Sequence, residues 1–315
     1  MIRWILAAAL ATIAGPVVAE IAVVLNSGDA TVSLIDRSTY AEIQRVPVGK
    51  EPHHLMPTPD GSELIVASSA ANELTYLDVA TGAVRRRVPR IDDPYQIGFS
   101  PDRKWFVAAA LRLNRIDLYA ADGLKLVKRI PLARNPSHIV FDRASTHVFV
   151  TLQESDEIAA IDLARAEVAW RLPVGRQPAG IWMTPDDRRL LVGVMGRDFV
   201  AVVDWRARAA VKQIVTAQGR HNFRAVGDGR HVLVSNRAAN SISIIDQQTL
   251  AVIDTFPVPG GPDDMEVSRD GRELWVTNRW ARSVSIVDLP GRKVVRTIPV
   301  GRSPHGVFFP NAARE

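Results

Sequence analysis

The sequence repeats itself every 42 residues, and the period holds through six successive copies without an insertion or a deletion. A repeat of about 40 residues that is built from strands is typical of β-propellers, in which each repeat supplies one blade. Because each blade buries its faces against its neighbours, we expect one closed domain over residues 20–315. The clearest copies begin at Val46, Ile130, Leu172 and Ile298, and weaker copies begin at Val88, Ile214 and Phe256.

One copy of the repeat contains four short strand patterns separated by turn residues. In the first complete unit we predict strands at 54–58, 62–68, 74–77 and 83–88. The Pro59-Asp60-Gly61 segment between the first two strands is a turn signal, because Pro fixes φ and Gly tolerates positive φ. The pattern therefore predicts a blade of four antiparallel strands.

The two ends of the chain together make up one further blade. Six complete units precede residues 298–309, which supply only the first strand of another unit. The N-terminal segments 21–26, 31–35 and 40–46 have the patterns of a second, third and fourth strand. We therefore predict an all-β, seven-bladed propeller whose last blade is closed by both termini, which leaves no open edge in the ring.

Aspartate recurs at the end of the third strand in most repeats, which raises the question of a carboxylate site. An Asp side chain at such a position bonds the backbone N–H groups of the turn that follows. Equivalent turns in several blades cannot all be catalytic, so we interpret the column as turn chemistry. Its members are Asp36, Asp78, Asp162, Asp204, Asp246 and Asp288.

The N-terminal segment indicates the cellular compartment, and the composition excludes some kinds of site. Residues 1–19 have a basic start, an apolar stretch and small residues at the end, a pattern that predicts a cleavable secretory signal peptide and a periplasmic location. An uncleaved membrane anchor is the alternative. The chain has no cysteine, which excludes disulfides, thiolate metal sites and cysteine nucleophiles. The net charge of +5, carried mainly by Arg, reflects either general composition or a basic face that attracts anions.

Two blocks of the repeat resemble the YVTN-type β-propeller repeat, a WD40-like repeat family. They are Glu273–Asn278 followed by Ser283–Asp288, and 233–236 followed by Ser241–Asp246. The resemblance covers the whole mature chain and implies the propeller fold. Relatives include surface-layer and periplasmic propellers, the haem-binding propeller domain of cytochrome-type nitrite reductases and lactonase-like enzymes. Fold alone does not choose among these functions.

Departures from the repeat indicate where a site would lie. The loop before the first strand of each blade and the loop between its second and third strands open on the same face. The position seven residues after the start of each repeat lies in the first of these loops. In order around the ring, the side chains at that position and the next are His53 and His54, Tyr95 and Gln96, Ser137 and His138, Ala179 and Gly180, His221 and Asn222, Asp263 and Asp264, and His305 and Gly306.

Four of these side chains belong to adjacent blades, so we expect them to meet at one side of the channel mouth. They are His53, His221, Asp263 and His305. Imidazole and carboxylate groups suit a transition metal such as Zn, Cu, Ni or Fe. The same set could supply an axial ligand to a non-covalent haem-type cofactor or a His–Asp general base. Solvated turn residues at the mouth are the alternative interpretation.

Arginines accompany the histidines on the same face. Arg237 and Arg279 follow Asn236 and Asn278 in the loops between the second and third strands, and Arg220 precedes His221. Guanidinium groups bind carboxylate or phosphate in a bidentate manner, which predicts a small anionic ligand. Surface ion pairing with nearby acidic residues is the alternative.

Two classes of function remain open. The first is a non-catalytic exported propeller that binds a small anion, a tetrapyrrole or a metal at its mouth, or that serves as an interaction scaffold. The second is an enzyme at the same mouth, either a lactonase-like metal hydrolase or a cofactor-dependent oxidoreductase. The channel columns are His-rich, whereas the resemblance implies Glu, Asn and Asp for a lactonase, and a covalent haem motif is absent from the sequence. Nucleic-acid binding is disfavoured by export, and we expect a monomer.

Overall fold

The computed structural model describes residues 20–313, and the predicted signal peptide lies outside the described residues. Seven separate four-stranded sheets form the fold, which confirms the predicted seven-bladed, all-β architecture. The strands of blades one to three are β4 (Pro52–Pro57), β5 (Glu63–Ser68), β6 (Glu73–Asp78) and β7 (Val84–Pro89); β8 (Pro94–Phe99), β9 (Trp105–Ala110), β10 (Arg115–Ala120) and β11 (Lys125–Pro131); β12 (Pro136–Phe141), β13 (His147–Leu152), β14 (Glu157–Asp162) and β15 (Glu167–Pro173).

The later blades follow the same order. They comprise β16 (Pro178–Met183), β17 (Arg189–Val194), β18 (Phe199–Asp204) and β19 (Ala209–Val215); β20 (Arg220–Ala225), β21 (His231–Asn236), β22 (Ser241–Asp246) and β23 (Ala251–Pro257); β24 (Pro262–Val267), β25 (Glu273–Asn278), β26 (Ser283–Asp288) and β27 (Lys293–Pro299).

The seventh blade combines the two ends of the chain, as the sequence predicted. Its sheet order is β28 (Pro304–Phe308), β1 (Ile21–Asn26), β2 (Thr31–Asp36) and β3 (Glu42–Pro47). The innermost strand β28 pairs antiparallel with β1, so that Val24 lies opposite Val307. The ring therefore closes through backbone hydrogen bonds between the first and last strands of the described chain.

The position of a strand within its blade explains its residue pattern. The second and third strands are apolar and buried on both faces, because each blade packs between two others. The fourth strands are mostly exposed, and the fourth strand of blade one, β7, carries a run of arginines. The turn between β4 and β5 has Gly61 at a φ of 72°, as the turn signal predicted. The core is thus a series of layers between neighbouring blades.

The aspartate column forms turns, which confirms the prediction for most of its members. Oδ1 of Asp36 accepts a hydrogen bond from the backbone N–H of Ser38 at 2.8 Å, and Asp78 does the same for Ala80 at 3.0 Å. Equivalent contacts are made by Asp162, Asp204 and Asp246. These carboxylates fix the turns before the outer strands and lie away from the channel.

The inner strands line the central channel and position the candidate site. Inner strands of neighbouring blades contact one another around the whole ring. The loops before the first strand and after the second strand lie side by side, because Ser69 N–H donates to the Glu51 carbonyl at 3.0 Å and Gln153 N–H to the Asn135 carbonyl at 3.0 Å. We call the end of the channel at these loops the mouth face.

Candidate functional site

Five aromatic side chains form a circuit of neighbouring rings across the channel near the mouth face. We call this circuit the girdle; it consists of His53, Tyr95, His138, His221 and His305. In that order, successive ring centroids lie 3.5, 6.0, 5.1 and 5.9 Å apart, and 3.7 Å separates the last from the first. Each side chain comes from the second or third residue of an inner strand. The structure therefore brings four of the predicted histidines together.

Asp263 lies between two girdle histidines. Its carboxylate is 1 % exposed. Nδ1 of His221 is 2.7 Å from Oδ1, and Nδ1 of His305 is 2.8 Å from Oδ2. This arrangement places His221, Asp263 and His305 side by side, as the order of the blades predicted.

The two arginines of the loops between second and third strands also converge on this carboxylate. The guanidinium of Arg237 pairs with Oδ1 of Asp263, and Nη1 of Arg279 lies 3.4 Å from Oδ2. Nη1 of Arg279 is also 2.7 Å from Nδ1 of His305. The side chains of Arg237 and Arg279 remain 18 % and 30 % exposed, so both reach from the buried carboxylate toward the mouth.

The protonation states leave this group with a positive charge. Burial lowers the pKa of His221 to about 4 and also lowers the pKa values of His138 and His305. Burial alone would raise the pKa of Asp263, but His305, His221 and Arg237 hold that pKa well below its usual value. At neutral pH two guanidinium groups therefore share one carboxylate among uncharged imidazoles.

A second layer of polar side chains lies next to the girdle, one residue further along the inner strands. It contains His54, Gln96, Asn222 and Asp264, which line a small space together with girdle residues. Asn222 Nδ2 donates to Asp264 Oδ1 at 2.8 Å. Burial raises the pKa of Asp264 to about 7, and burial lowers the pKa of His54 to about 3. His54 was predicted at the mouth, and the structure places it in this deeper layer.

A cavity of about 740 Å³ lies at the mouth. His53, Tyr95 and Arg279 contribute to its lining, and Lys50 lies at an exposed position on it. Several charges on the wall neutralise one another, because Arg112 pairs with Asp93 and Glu51 while Arg302 pairs with Asp29. No hydrogen bond or ion pair joins Lys50 to another residue of the range 20–313.

Arg220 lies apart from the girdle, although the sequence suggested that it joins the mouth group. Its side chain is fully buried. Nε donates to Oγ1 of Thr216 at 2.5 Å, Nη2 donates to the Thr216 carbonyl at 3.0 Å, and Nη1 donates to the Arg197 carbonyl. These contacts fix the loop before β20.

The asparagine column that accompanies the arginines is structural. Asn26 Nδ2 donates to Ser33 Oγ at 2.8 Å, and its Oδ1 accepts from Gly301 N–H at 2.9 Å. Asn236 makes the same contact with Ser243 at 2.9 Å. These buried amides tie the second strand to the third, so the arginines that follow them leave the blade at a fixed point.

Sequence reasoning did not single out two residues of this region. Tyr95 completes the girdle, and Lys50 adds a cation at the cavity. Tyr95 occupies the same column of the repeat as the histidines, so an aromatic ring in place of an imidazole was the available signal. Lys50 carried no signal, because a surface lysine in a loop is common.

Residues 20–313 contain no group of three or more His, Cys, Asp or Glu side chains arranged to hold a metal ion. Within the same range, no helix has the length and hydropathy needed to cross a membrane.

Solved structures with low sequence identity share the fold. The dihydro-heme d1 dehydrogenase NirN, solved in complex with DHE, is 18% identical with a TM-score of 0.70 over 93% of this chain and 76% of that chain. A functionally unknown protein from Desulfotomaculum acetoxidans is 14% identical with a TM-score of 0.78 over 92% and 98% of the two chains. Hydrazine synthase of Kuenenia stuttgartiensis is 18% identical with a TM-score of 0.70 over 81% and 88%.

Sequence comparison identifies the family. No curated protein sequence matches the chain. The family model described as YNCE-like beta-propeller matches residues 4–314, which includes every strand described above. The YVTN-type name suggested by the repeat stays a prediction. The chain belongs to the YNCE-like β-propeller family.

Proposed function

We propose that this chain is an exported, non-catalytic propeller that binds a small anion with more than one carboxylate at its mouth. The observation that carries the proposal is the shared carboxylate: Arg237 and Arg279 have one buried partner, Asp263, between them. The single carboxylate leaves one of the two guanidinium charges unbalanced, and an anionic group of a ligand would neutralise it. Export rests on the signal pattern of residues 1–19.

The surroundings of the two arginines suit an oxyanion. Arg279 lines the mouth cavity, and Lys50 provides a further cation on its wall. Guanidinium groups bind carboxylates through two parallel N–H···O bonds. Tyr95 supplies a phenol at the same wall, whose pKa burial raises to about 12, so that it stays a hydrogen-bond donor.

The histidines support a binding role more than an acid–base role. His221 and His305 are buried and face Asp263 through Nδ1. A general base has to reach a substrate proton within hydrogen-bond distance. His53 is the one girdle histidine on the lining of the mouth cavity among the described residues.

A carboxylate-bearing tetrapyrrole is a second candidate ligand, and His53 is the observation that favours it. Its ring nitrogens have no hydrogen-bond partner within residues 20–313. A nitrogen on the cavity wall suits an axial ligand of haem iron, while Arg279 would face a propionate-like group. NirN, solved in complex with DHE, supports this option through the shared fold alone.

Calorimetric titration with citrate, inorganic phosphate and hemin tests both candidates. A charge-assisted hydrogen bond contributes about 1.5–3 kcal/mol, so Arg279→Gln is expected to weaken citrate binding about 10- to 150-fold. Arg85→Gln is the matched control, because Arg85 pairs with Asp78 on an outer strand. Equal citrate affinity of the two variants and the unmodified protein would refute the anion site.

Hemin distinguishes the second candidate from the first. If a tetrapyrrole is the ligand, hemin binds one to one with a shifted Soret band that His53→Ala abolishes. His147→Ala is the control, because His147 packs beside Trp205 away from the girdle. Absence of binding by all three compounds would overturn the proposed function and favour an interaction scaffold.

A further inference from the structure

A second cavity occupies the opposite end of the channel. Its volume is about 610 Å³, and inner strands of all seven blades contribute to its lining. Small-molecule sites in proteins are typically cavities of about 300–1,000 Å³ with mainly apolar walls and a few polar groups. The second layer, with His54, Gln96, Asn222 and Asp264, forms part of its lining. Among residues 20–313, none lines both this cavity and the mouth cavity.

Large apolar side chains that keep partial solvent exposure converge on this cavity. They are Met56, Phe99, Phe141, Trp182, Met183 and Phe308. The buried branched residues Ile97 and Ile139 belong to the same lining. Large apolar groups left exposed together on a protein usually mark a binding site. Here they face an internal space rather than the outer surface.

The indole of Trp182 has a fixed orientation in the wall. Its Nε1 donates to Oε1 of Gln247 at 2.8 Å, so the polar atom of the ring is already paired. The rest of the indole belongs to the lining of the cavity. Trp182 therefore offers an apolar face to a ligand and needs no hydrogen bond from it.

The polar groups of the lining carry little net charge. Arg224 and Glu266 form an ion pair with each other. Asp264 accepts a hydrogen bond from Asn222, and burial raises its pKa to about 7. An ionic ligand would gain little here and would lose its hydration.

Two side chains on the lining keep hydrogen-bonding capacity. The ring nitrogens of His54 have no hydrogen-bond partner in the described range. Oε1 of Gln96 accepts from Ile139 N–H at 2.5 Å, which fixes the amide, while its Nε2 makes no hydrogen bond with residues 20–313. One acceptor-or-donor ring and one donor amide thus lie beside the apolar side chains, on a lining to which polar and apolar atoms both contribute.

We infer that this cavity binds a neutral small molecule that has an apolar part and one hydrogen-bonding head group, which lies against His54 and Gln96. The apolar part packs among the Met, Phe and Trp side chains. The chemistry is opposite to that of the mouth, where the surplus groups are cationic. The two sites are therefore expected to bind ligands of different chemical classes.

N-phenyl-1-naphthylamine is a suitable probe, because it is neutral, aromatic and carries one N–H group. We expect saturable one-to-one binding, with fluorescence enhancement and energy transfer from tryptophan. Trp182→Phe is expected to reduce the energy transfer while the probe still binds. Binding without saturation, or at several equivalent surface sites, would overturn the inference.

Cavity filling supplies the decisive comparison. Met183→Trp places a larger ring in the cavity and is expected to weaken probe binding at least tenfold. Val215→Trp adds the same ring on an outer strand, at a side chain that is 70% exposed, and is the matched control. Equal loss in both variants, or none in either, would contradict the proposal. Thermal unfolding of each variant checks that it is folded.

The mouth and the second cavity can be tested separately. Arg279→Gln is expected to leave probe binding unchanged, and Met183→Trp is expected to leave citrate binding unchanged. Displacement of the probe by citrate would refute the assignment of two sites with different ligands. Failure of citrate to bind would not affect the result with the probe.

Discussion

Asp263→Asn replaces one carboxylate oxygen by an NH₂ group at the point where two arginines and two histidines meet. The side chain is 1% exposed, and its pKa is held well below the usual value, so it is ionised at neutral pH. The substitution removes the partner of Arg237 and Arg279 and adds N–H groups that face other donors. Removal of one partner from a buried ion pair destabilises a protein by about 3–5 kcal/mol.

The exposure of the arginines sets the expected magnitude. Arg237 and Arg279 are 18% and 30% exposed and regain some hydration, so we expect the lower limit, about 3 kcal/mol. With an unfolding entropy of about 2.1 cal/mol/K per residue, a domain of this length has about 0.6 kcal/mol/K, and the melting temperature falls by about 5 °C.

Asp264→Asn is the matched control, since the next residue along the chain undergoes the same chemical change. Burial raises the pKa of Asp264 to about 7, so its side chain is largely protonated at pH 6 and resembles an amide. Asn at this position keeps an oxygen for the hydrogen bond from Asn222. We expect a change below about 1 kcal/mol, which is typical of a substitution that leaves buried groups paired.

Calorimetry of both variants at pH 6 is the assay. Equal shifts in melting temperature, or a larger shift for Asp264→Asn, would refute the charge assignment of the girdle. A second readout concerns ligand binding: the folded Asp263→Asn protein is expected to bind citrate more tightly, because its two guanidinium groups have lost their internal anion.

Three further predictions concern stability. Burial lowers the pKa of His221 to about 4 and also lowers the pKa values of the other girdle histidines. Below pH 6.5 the unfolded chain therefore takes up protons before the folded protein does. The melting temperature is expected to fall as the pH decreases from 6.5 to 4.5. Asp264 acts in the opposite sense, since the folded state keeps its proton between about pH 4 and 7, so the fall is expected to be steeper in Asp264→Asn; a melting temperature that does not fall in that variant would contradict the assignment of the histidines. Trp275→Ala removes a fully buried indole and is expected to cost about 3–5 kcal/mol, whereas Trp280→Ala, at 59% exposure, is expected to be nearly neutral in the same denaturation assay. Gly180→Ala would place a Cβ 2.0 Å from the His221 carbonyl oxygen. A loss of several degrees in melting temperature is therefore expected. An unchanged melting temperature would show that β16 and β20 separate easily.

The fold could be predicted from the sequence because every blade of a propeller has the same pattern of strands and turns. The segment 21–26 was predicted as a strand and is β1, with the predicted bounds. The Asp turns followed from a local rule, since a carboxylate bonds backbone N–H groups two and three residues ahead. The order of the blades then placed His221, Asp263 and His305 side by side.

The direction of a side chain could be predicted less well from the sequence than the position of the backbone. Arg220 is adjacent to His221 in sequence, yet its guanidinium turns to carbonyl groups of neighbouring loops, because buried N–H donors require acceptors. His54 follows His53 on a strand but reaches a deeper layer of the channel. The second cavity gave no sequence signal, because Phe141 and Met183 have the residue types of an ordinary core.

The pairing of β28 with β1 means that the position of the chain ends is arbitrary with respect to the ring. Glu20 and Asn311 are joined by a hydrogen bond of 2.6 Å, so the two ends of the described chain are already neighbours. A short linker between them and new termini in an exposed turn, such as the one at Gly61, would give a circular permutant with all seven blades intact. In that permutant the same sheet would be held by an unbroken backbone, and another blade would carry the seam.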